Sequence, residues 1–264
     1  MTEGIARERF AQKNVLITGA AAGVGRDIAL AFASEGADIA ILDFQDAEAT
    51  ARGIAALGRR CQGFRSDVRD EAGVKKAVDG AADFFGGRID VLVNNAGFNG
   101  YYSLIKDMPL AHWRETIEIN LTGTMLVTRA VLPFMIEQKA GAIGITASNV
   151  ARRGLPYRAD YVCSKWALLG FTQTLALEVV SHNIRVNAVC PGPIEGDRIE
   201  DVMAHHAAIE GKTVADVRRE WEATPMKRFI EPREVAAVML FLCSADASAM
   251  TGQAINVTGG FIMT

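Results

Sequence analysis

Four polar side chains could carry chemistry in this sequence: Asn120, Ser148, Tyr161 and Lys165. Tyr161 and Lys165 are four residues apart in a helical pattern, so they share one face. A free tyrosine ionises near pH ~10, too high for a base at neutral pH. An ammonium about 4 Å away, at an effective dielectric near ~20, contributes on the order of 4 kcal/mol. At roughly 1.4 kcal/mol per unit, that lowers a phenol pKa by up to about three units. The phenolate is then accessible near neutrality, where acid–base catalysis is most efficient. A Tyr-x-x-x-Lys spacing alone is more often structural, and its weight here comes from its company. Ser148, in GITASN, follows a strand candidate, where its hydroxyl can bind a carbonyl oxygen jointly with Tyr161. Asn120, in IEINLTG, interrupts an apolar helix, where a polar side chain needs a partner.

A second constellation lies near the N-terminus. The first strand candidate runs into Thr18-Gly19-Ala20-Ala21-Ala22-Gly23-Val24-Gly25, and a helical pattern follows. Glycines there let the backbone turn sharply and approach a pyrophosphate, and the helix N-terminus offers free N–H groups. A tight structural turn is the competing reading. No GKS or GKT follows, so the lysine of a triphosphatase loop is missing. Asp43 ends the second strand candidate, where a carboxylate can accept hydrogen bonds from both ribose hydroxyls of an adenosine. It would repel a 2′-phosphate, and Ala21, Ala22, Phe44 and Gln45 offer no positive charge to hold one. The expected cofactor is therefore NAD rather than NADP. A solvated Asp43 capping the next helix is the alternative.

The elements that must position these groups alternate along the chain. Strand candidates are 15–18, 38–42, 61–65, 90–93, 142–146, 185–189 and 254–257. Their largely continuous apolar character suits strands covered on both faces. Helical patterns span roughly 24–35, 46–57, 70–85, 110–138, 160–180 and 232–243, with Asp70 and Asp160 as N-caps. The alternation predicts an α/β fold, a parallel sheet of about seven strands with helices on both faces. With no repeat or linker, 1–264 reads as a single domain. The segment 195–225 is charged, has helical character, and is bracketed by Pro191-Gly192-Pro193 and Pro225. It is expected to be a small helical lid over the ligand edge of the sheet, with an ordinary surface insertion as the alternative.

Composition narrows the rest. The chain has 264 residues, half of them hydrophobic, with a formal net charge of −3. That length buries a large core without staples, and the slightly acidic balance argues against non-specific nucleic-acid binding. Cys61, Cys163, Cys190 and Cys243 lie far apart, a reduced intracellular pattern with no metal-ligand cluster. The opening MTEGIARERFAQK has no apolar signal core, and the longest nearly apolar stretch of the first half, NVLITGAAAGVG, is too short to span a bilayer. These features predict a cytoplasmic protein without a membrane or nucleic-acid partner.

Taken together, the chain from about Lys13 to its C-terminus resembles the short-chain dehydrogenase/reductase superfamily, in the branch with TGxxxGxG and YxxxK motifs. The resemblance rests on TGAAAGVG at 18–25, Asp67-Val68, NNAG at 94–97, Asn120, Ser148, YVCSK at 161–165 and PG at 191–192. It implies a Rossmann-type doubly wound sheet and transfer of a hydride between NAD and a secondary alcohol or ketone. By the same resemblance, Tyr161 would be the general acid/base, Lys165 would lower its pKa and hold the nicotinamide ribose, and Ser148 would orient the substrate oxygen. Asn120 would hold a water on a proton path from Lys165. Gly19, Ala22, Gly23, Val24, Gly25, Asp43 and Phe44 would bind the adenosine diphosphate half of the cofactor. Asp67 and Val68 would contact adenine, Asn94, Ala96 and Gly97 the ribose region, and Pro191, Gly192 and Ile194 the nicotinamide. Family helices matching 110–138 and 160–180 pair between subunits, which implies a homotetramer. One departure is Gly196, where the family often has threonine or serine.

Substrate walls in this fold come from the loops after Gly97 and Ser148 and from the lid. They carry Arg152, Arg153, Tyr157, Arg158 and Arg198, with Ser148 facing them. The arginines could bind a carboxylate or sulfonate, although a surface or interface role is the favoured reading. His205 and His206 read as a solvated face, and Cys163 as a core thiol. Two other functions compete: a dinucleotide sensor without turnover, and a dehydratase or epimerase. The intact Asn120, Ser148, Tyr161 and Lys165 set disfavours the sensor, and the short chain leaves little room for a nucleotide-sugar domain.

Overall fold

The computed structural model describes residues 8–264; the first part of the polar N-terminal segment lies outside them. Seven parallel strands form one sheet in the order β3-β2-β1-β4-β5-β6-β7. They are β1 (Asn14–Thr18), β2 (Asp38–Asp43), β3 (Cys61–Arg65), β4 (Val91–Asn94), β5 (Gly141–Thr146), β6 (Ile184–Pro191) and β7 (Ala254–Val257). The helices are α1 (Gly23–Ser34), α2 (Glu48–Ala56), α3 (Glu71–Phe84), α4 (Leu110–Ile117), α5 (Gly123–Gln138), α6 (Ala159–Val179), α7 (Asp197–Glu210), α8 (Val214–Glu222) and α9 (Pro232–Cys243). The order reverses between β1 and β4, and ligands bind at such a switch point, beyond the carboxyl ends of the strands.

Alternate residues of each strand feed two separate cores. Leu16, Leu92, Ile143 and Val186 pack with residues of α3, α5 and α6 on one face. Val15, Ile17, Ile39, Ile41 and Val93 pack with α1 and α9 on the other, through Ile28, Phe32 and Met239. Each such fully buried side chain contributes about 1.5–3 kcal/mol. β1, β2 and β4 are buried along nearly their whole length, as continuous apolar runs predict. The edge strands β3 and β7 are not covered on both faces, and β3 leaves Gln62, Gly63 and Arg65 exposed.

Several expectations are corrected. The helix read over 110–138 is interrupted at Glu118–Thr122 by a π-turn centred on Asn120. This stretch is long and apolar enough to cross a membrane by length and composition; here Leu126, Val127, Val131 and Met135 bury its inner face in the core. Asp70 holds the N-cap position of α3 without a side-chain capping bond. Asp160 is not a cap. Arg158 precedes the helix, and Asp160 is buried in its first turn. There its Oδ2 accepts from the Tyr101 amide at 2.9 Å and the Thr116 hydroxyl at 2.7 Å. Cys163 is exposed rather than in the core.

Candidate active site

The loop after β1 is shaped by contacts that only glycine permits. A Cβ on Gly25 would lie 2.0 Å from the Gly19 carbonyl oxygen, and one on Gly19 would lie 2.6 Å from the Ala96 Cα. Gly19 and Gly23 both adopt left-handed backbone, at φ 67° and 56°. Helix α1 starts at Gly23 with no side-chain cap and no acidic residue in its first turn, so its leading amides are left for an anion. Ala22 is the N-cap, and Val24 lies in that first turn.

Asp43 is buried at the end of β2. Its Oδ2 accepts from the Ala21 amide at 2.9 Å and its Oδ1 from the Gln45 amide at 3.0 Å. It is therefore neither solvated nor a helix cap; it braces the glycine turn. Each oxygen keeps a further lone pair for a ribose hydroxyl. Phe44 beside it is largely exposed. One neighbouring cation escaped the sequence reading. Arg65, paired with Asp43 across β3, donates from Nε to the Phe44 carbonyl at 3.1 Å. Asp67 is held well below the usual carboxylate range by hydrogen bonds from Arg69. Val68 packs against Gly123, where any Cβ would meet it at 2.6 Å.

A hydrogen-bond chain ties the glycine turn to the lysine. Asn95 donates from Nδ2 to the Gly19 carbonyl at 2.9 Å, and its Oδ1 accepts from the Thr146 hydroxyl at 3.3 Å. The Thr146 carbonyl in turn accepts from Lys165 Nζ at 2.9 Å. Thr18 Oγ1 accepts from the Asn95 and Ala96 amides, both at 3.0 Å. Thr18, Asn95 and Thr146 were not among the expected site residues; they bind other protein groups rather than a ligand, and no spacing signals that. Asn94 donates to the Thr128 hydroxyl at 2.9 Å, while its own buried carbonyl oxygen has no partner. Gly97 lies against the far side of this group, with its Cβ position 3.6 Å from Lys165 Nζ.

Tyr161 and Lys165 occupy the first turns of α6, with Nζ 5.7 Å from the phenol ring centre. Burial opposes ionisation of the phenol. The Lys165 ammonium, then Arg198, Arg158 and the adjacent Ser148 hydroxyl, outweigh it and hold the pKa below the usual tyrosine value. Burial likewise lowers Lys165, against the pull of the phenol. Ser148 follows β5, and its hydroxyl also donates to Asn149 Oδ1 at 3.2 Å. Asn120 is fully buried. Its Oδ1 accepts from the Phe98 amide at 2.7 Å, and its Nδ2 donates to the Phe98 carbonyl at 3.0 Å and Ser164 Oγ at 2.9 Å. The π-turn is what swings this side chain inward.

At the other rim, β6 ends at Pro191, and the Gly192 amide donates to the Val257 carbonyl at 2.9 Å. Ile194 bridges to Ile230. Gly196 precedes α7 with φ 137°, a conformation that essentially only glycine adopts. The segment expected to be a lid folds as α7 and α8, packed around Met203, Ala207, Val217 and Phe229. His205 is exposed, as the solvated-face reading expects, whereas His206 is buried. His205 stacks on Tyr102 at 4.6 Å, and the buried His206 lies edge-on between Tyr102 and Trp221. Of the proposed substrate residues, Arg198 reaches the site, donating to Asn99 Oδ1 at 2.6 Å. Arg153 instead lays its guanidinium on the Phe261 ring at 4.6 Å. Tyr157 sits in left-handed backbone, φ 64°, and its carbonyl accepts from the Ser103 amide.

These residues fit a dinucleotide: a glycine cradle with no room for side chains, an uncapped helix N-terminus, and a ribose-ready carboxylate, all on one sheet edge. The comparisons agree. A family model described as Enoyl-(Acyl carrier protein) reductase matches residues 19–262. The 3-oxoacyl-(acyl-carrier-protein) reductase FabG of Thermotoga maritima is 36% identical over 97% of this chain and 100% of its own. Galactitol 2-dehydrogenase of Agrobacterium fabrum is 37% identical over 96% of this chain and 98% of its own. A crystal structure of NAD+-bound xylitol dehydrogenase superposes with a TM-score of 0.92 at 34% identity, covering 95% of this chain and 99% of that one. On a family model spanning residues 19–262 and relatives more than 30% identical over nearly the whole chain, the chain belongs to the short-chain dehydrogenase/reductase superfamily.

Proposed function

We propose that this protein is an NAD-dependent oxidoreductase of secondary alcohols and ketones, with Tyr161 as its general acid/base. The observation that carries the reading is the phenol of Tyr161, made more acidic by Lys165, beside Ser148 and one hydrogen-bond chain away from the glycine turn. A bound dinucleotide would supply the hydride acceptor for the carbinol carbon, or the hydride donor for the ketone. Ser148 and Tyr161 hold the substrate oxygen between them. In oxidation the Tyr161 phenolate takes the hydroxyl proton; in reduction the phenol gives it back. Lys165 stabilises the phenolate and would hold the nicotinamide ribose. Asn120 positions this group by clamping Phe98 to Ser164 on α6, and a proton path from Lys165 runs past it.

The glycine turn, Gly19 to Gly25, takes the pyrophosphate, Asp43 the adenosine ribose, and Phe44, Asp67 and Val68 the adenine. Asn94, Ala96 and Gly97 line the ribose side, and Pro191, Gly192 and Ile194 the nicotinamide. The buried carboxylate of Asp43 favours NAD over NADP. The whole chain acts as one catalytic domain, with residues 195–225 as a lid. Four separate free thiols suit a reduced, cytoplasmic setting, and the exposed apolar stripe of α6 suits a homotetramer.

The test follows nicotinamide absorbance while secondary alcohols are offered with NAD+ or NADP+, alongside NADH fluorescence titration. Tyr161→Phe is expected to cost about 10²- to 10⁴-fold in kcat while NADH still binds. Near wild-type turnover by that variant overturns the assigned role, and a preference for NADP+ overturns the assignment to Asp43.

A further inference from the structure

Beside the phenol lies a guanidinium that the proton chemistry does not require. Arg158 is 2% exposed, yet it forms no ion pair among the described residues. Its fork lies across two tyrosines, 4.3 Å from the Tyr102 ring centre and 4.8 Å from that of Tyr161. Nη1 donates to the Tyr102 hydroxyl at 2.7 Å and Nη2 to the Asn99 carbonyl, while the buried Nε has no partner. Asp160, two residues further on, does not pair with it. One of its oxygens is taken by Tyr101 and Thr116, and the other has no partner.

A second guanidinium approaches from the lid. Arg198, in the first turn of α7, donates to Asn99 Oδ1 and to the Gly97 carbonyl at 3.4 Å, and it too has no carboxylate partner among the described residues. His206, from the same helix, is 5% exposed with an unpartnered Nε2, its ring 5.6 Å from that of Tyr102. The fields of Arg158 and Arg198 both reach the Tyr161 phenol. Arg158 also acts on His206, where the charge of Glu210, one turn further along α7, opposes it.

A buried cation without a counter-charge is costly. Contacts with two aromatic faces offset part of that cost, but they leave donor capacity unused. A guanidinium is the side chain suited to gripping an oxyanion through two parallel hydrogen bonds. The backbone that delivers it is also held in an unusual state: Tyr157 is left-handed at φ 64°, and Arg158 is pinned by a parallel bridge to Ser103. An aromatic residue in that region marks a segment over-determined by its surroundings.

We propose that Arg158 and Arg198 bind an anionic group, a carboxylate or a sulfonate, carried close to the carbinol carbon of the substrate. The preferred substrates are then short hydroxy acids or hydroxysulfonates and their oxo forms, not neutral alcohols. Proximity of Arg158 to the reacting phenol requires the charge to sit near the reacting oxygen rather than at the end of a long chain. This assignment rests on the alcohol-oxidising role of the site, and the test separates the two.

Initial rates with NAD+ are compared for 3-hydroxybutyrate, 2-hydroxypropane-1-sulfonate and the neutral butan-2-ol. Butyrate and propane-1-sulfonate serve as competitors against butan-2-ol. At least one anionic alcohol is expected to exceed butan-2-ol in kcat/KM by about tenfold or more, as expected for a charge-assisted hydrogen bond. Which of the two it is distinguishes carboxylate from sulfonate. The matching competitor is expected to inhibit. Arg158→Met and Arg198→Gln should each reduce the preference about tenfold through KM, with Arg158→Lys restoring part. Arg198 is exposed, so Arg198→Gln remains informative even if a change at the buried Arg158 prevents folding. Preference for butan-2-ol without inhibition by either anion overturns the proposal and leaves the alcohol-oxidising role standing. An anionic preference that survives Arg198→Gln and every folded Arg158 variant overturns the assigned residues. No nicotinamide reduction with any of the three alcohols, despite NADH binding, counts against both readings.

Discussion

Tyr161 has to ionise while partly buried, and burial by itself works against that. The sign is decided by the charges around it: Lys165 first, then Arg198 and Arg158, with Ser148 adding a hydrogen bond. Oxidation needs the phenolate, so its rate rises as pH climbs through the phenol pKa and levels off above it. Reduction needs the phenol and falls over the same interval. Because the pKa lies below the usual tyrosine value, the midpoint of the oxidative rise should fall below pH ~10. Lys165→Met removes the largest favourable charge, so the inflection of kcat against pH should move to higher pH, by up to about three units. Identical inflections in the variant and the parent would remove Lys165 as the cause. Asp43 shows what a sequence cannot: it is buried and braces the turn through the Ala21 and Gln45 amides.

The elements were legible where a simple period governs them. Buried parallel strands are continuous apolar runs, so β1, β2, β4, β5 and β6 could be read within a residue or two at most ends. The glycine turn and the Tyr161-Lys165 face were equally visible. The π-turn at Asn120 was not, because one extra residue per turn leaves no mark in an apolar helix except the polar side chain it turns inward. The burial of His206 was not visible, because its partner Tyr102 lies about a hundred residues away in the chain and becomes adjacent only through the fold. The same applies to Arg158, whose partner Tyr102 lies 56 residues away in the chain. The glycine turn also yields a prediction at this scale. Gly25→Val places a branched side chain where even a Cβ meets the Gly19 carbonyl at 2.0 Å. Backbone cannot yield as a flexible side chain does, so the variant should lose about 1–3 kcal/mol of stability. It should also lose NADH affinity, because the turn that receives the pyrophosphate is displaced. Thermal melting and fluorescence titration measure the two, and unchanged NADH binding would show that the cradle is not the cofactor site.

For the whole molecule, the same helix that carries the reactive pair presents an apolar stripe outward. On α6 and the turn just after it, Trp166 is 50% exposed, Leu177 80% and Val180 50%, with Cys163 also exposed on that side. Spacings of three, eleven and three residues, the eleven being about three full turns, place them on one helical face, opposite the residues that cover the sheet. An exposed patch of this kind on a chain of 28.4 kDa suits burial against a copy of itself, and a stable contact needs about 1,000 Å² or more of total buried surface. Light scattering should therefore give a mass several times that of one chain, four copies in the arrangement proposed above. Leu177→Arg is the discriminating variant. Leu177 is so exposed that the change costs the isolated chain little, whereas in an interface it buries an unpaired charge. The variant should shift to smaller species, and its melting temperature should lose the concentration dependence that assembly imposes. A parent protein that scatters as a single chain at all concentrations would leave the stripe without this role.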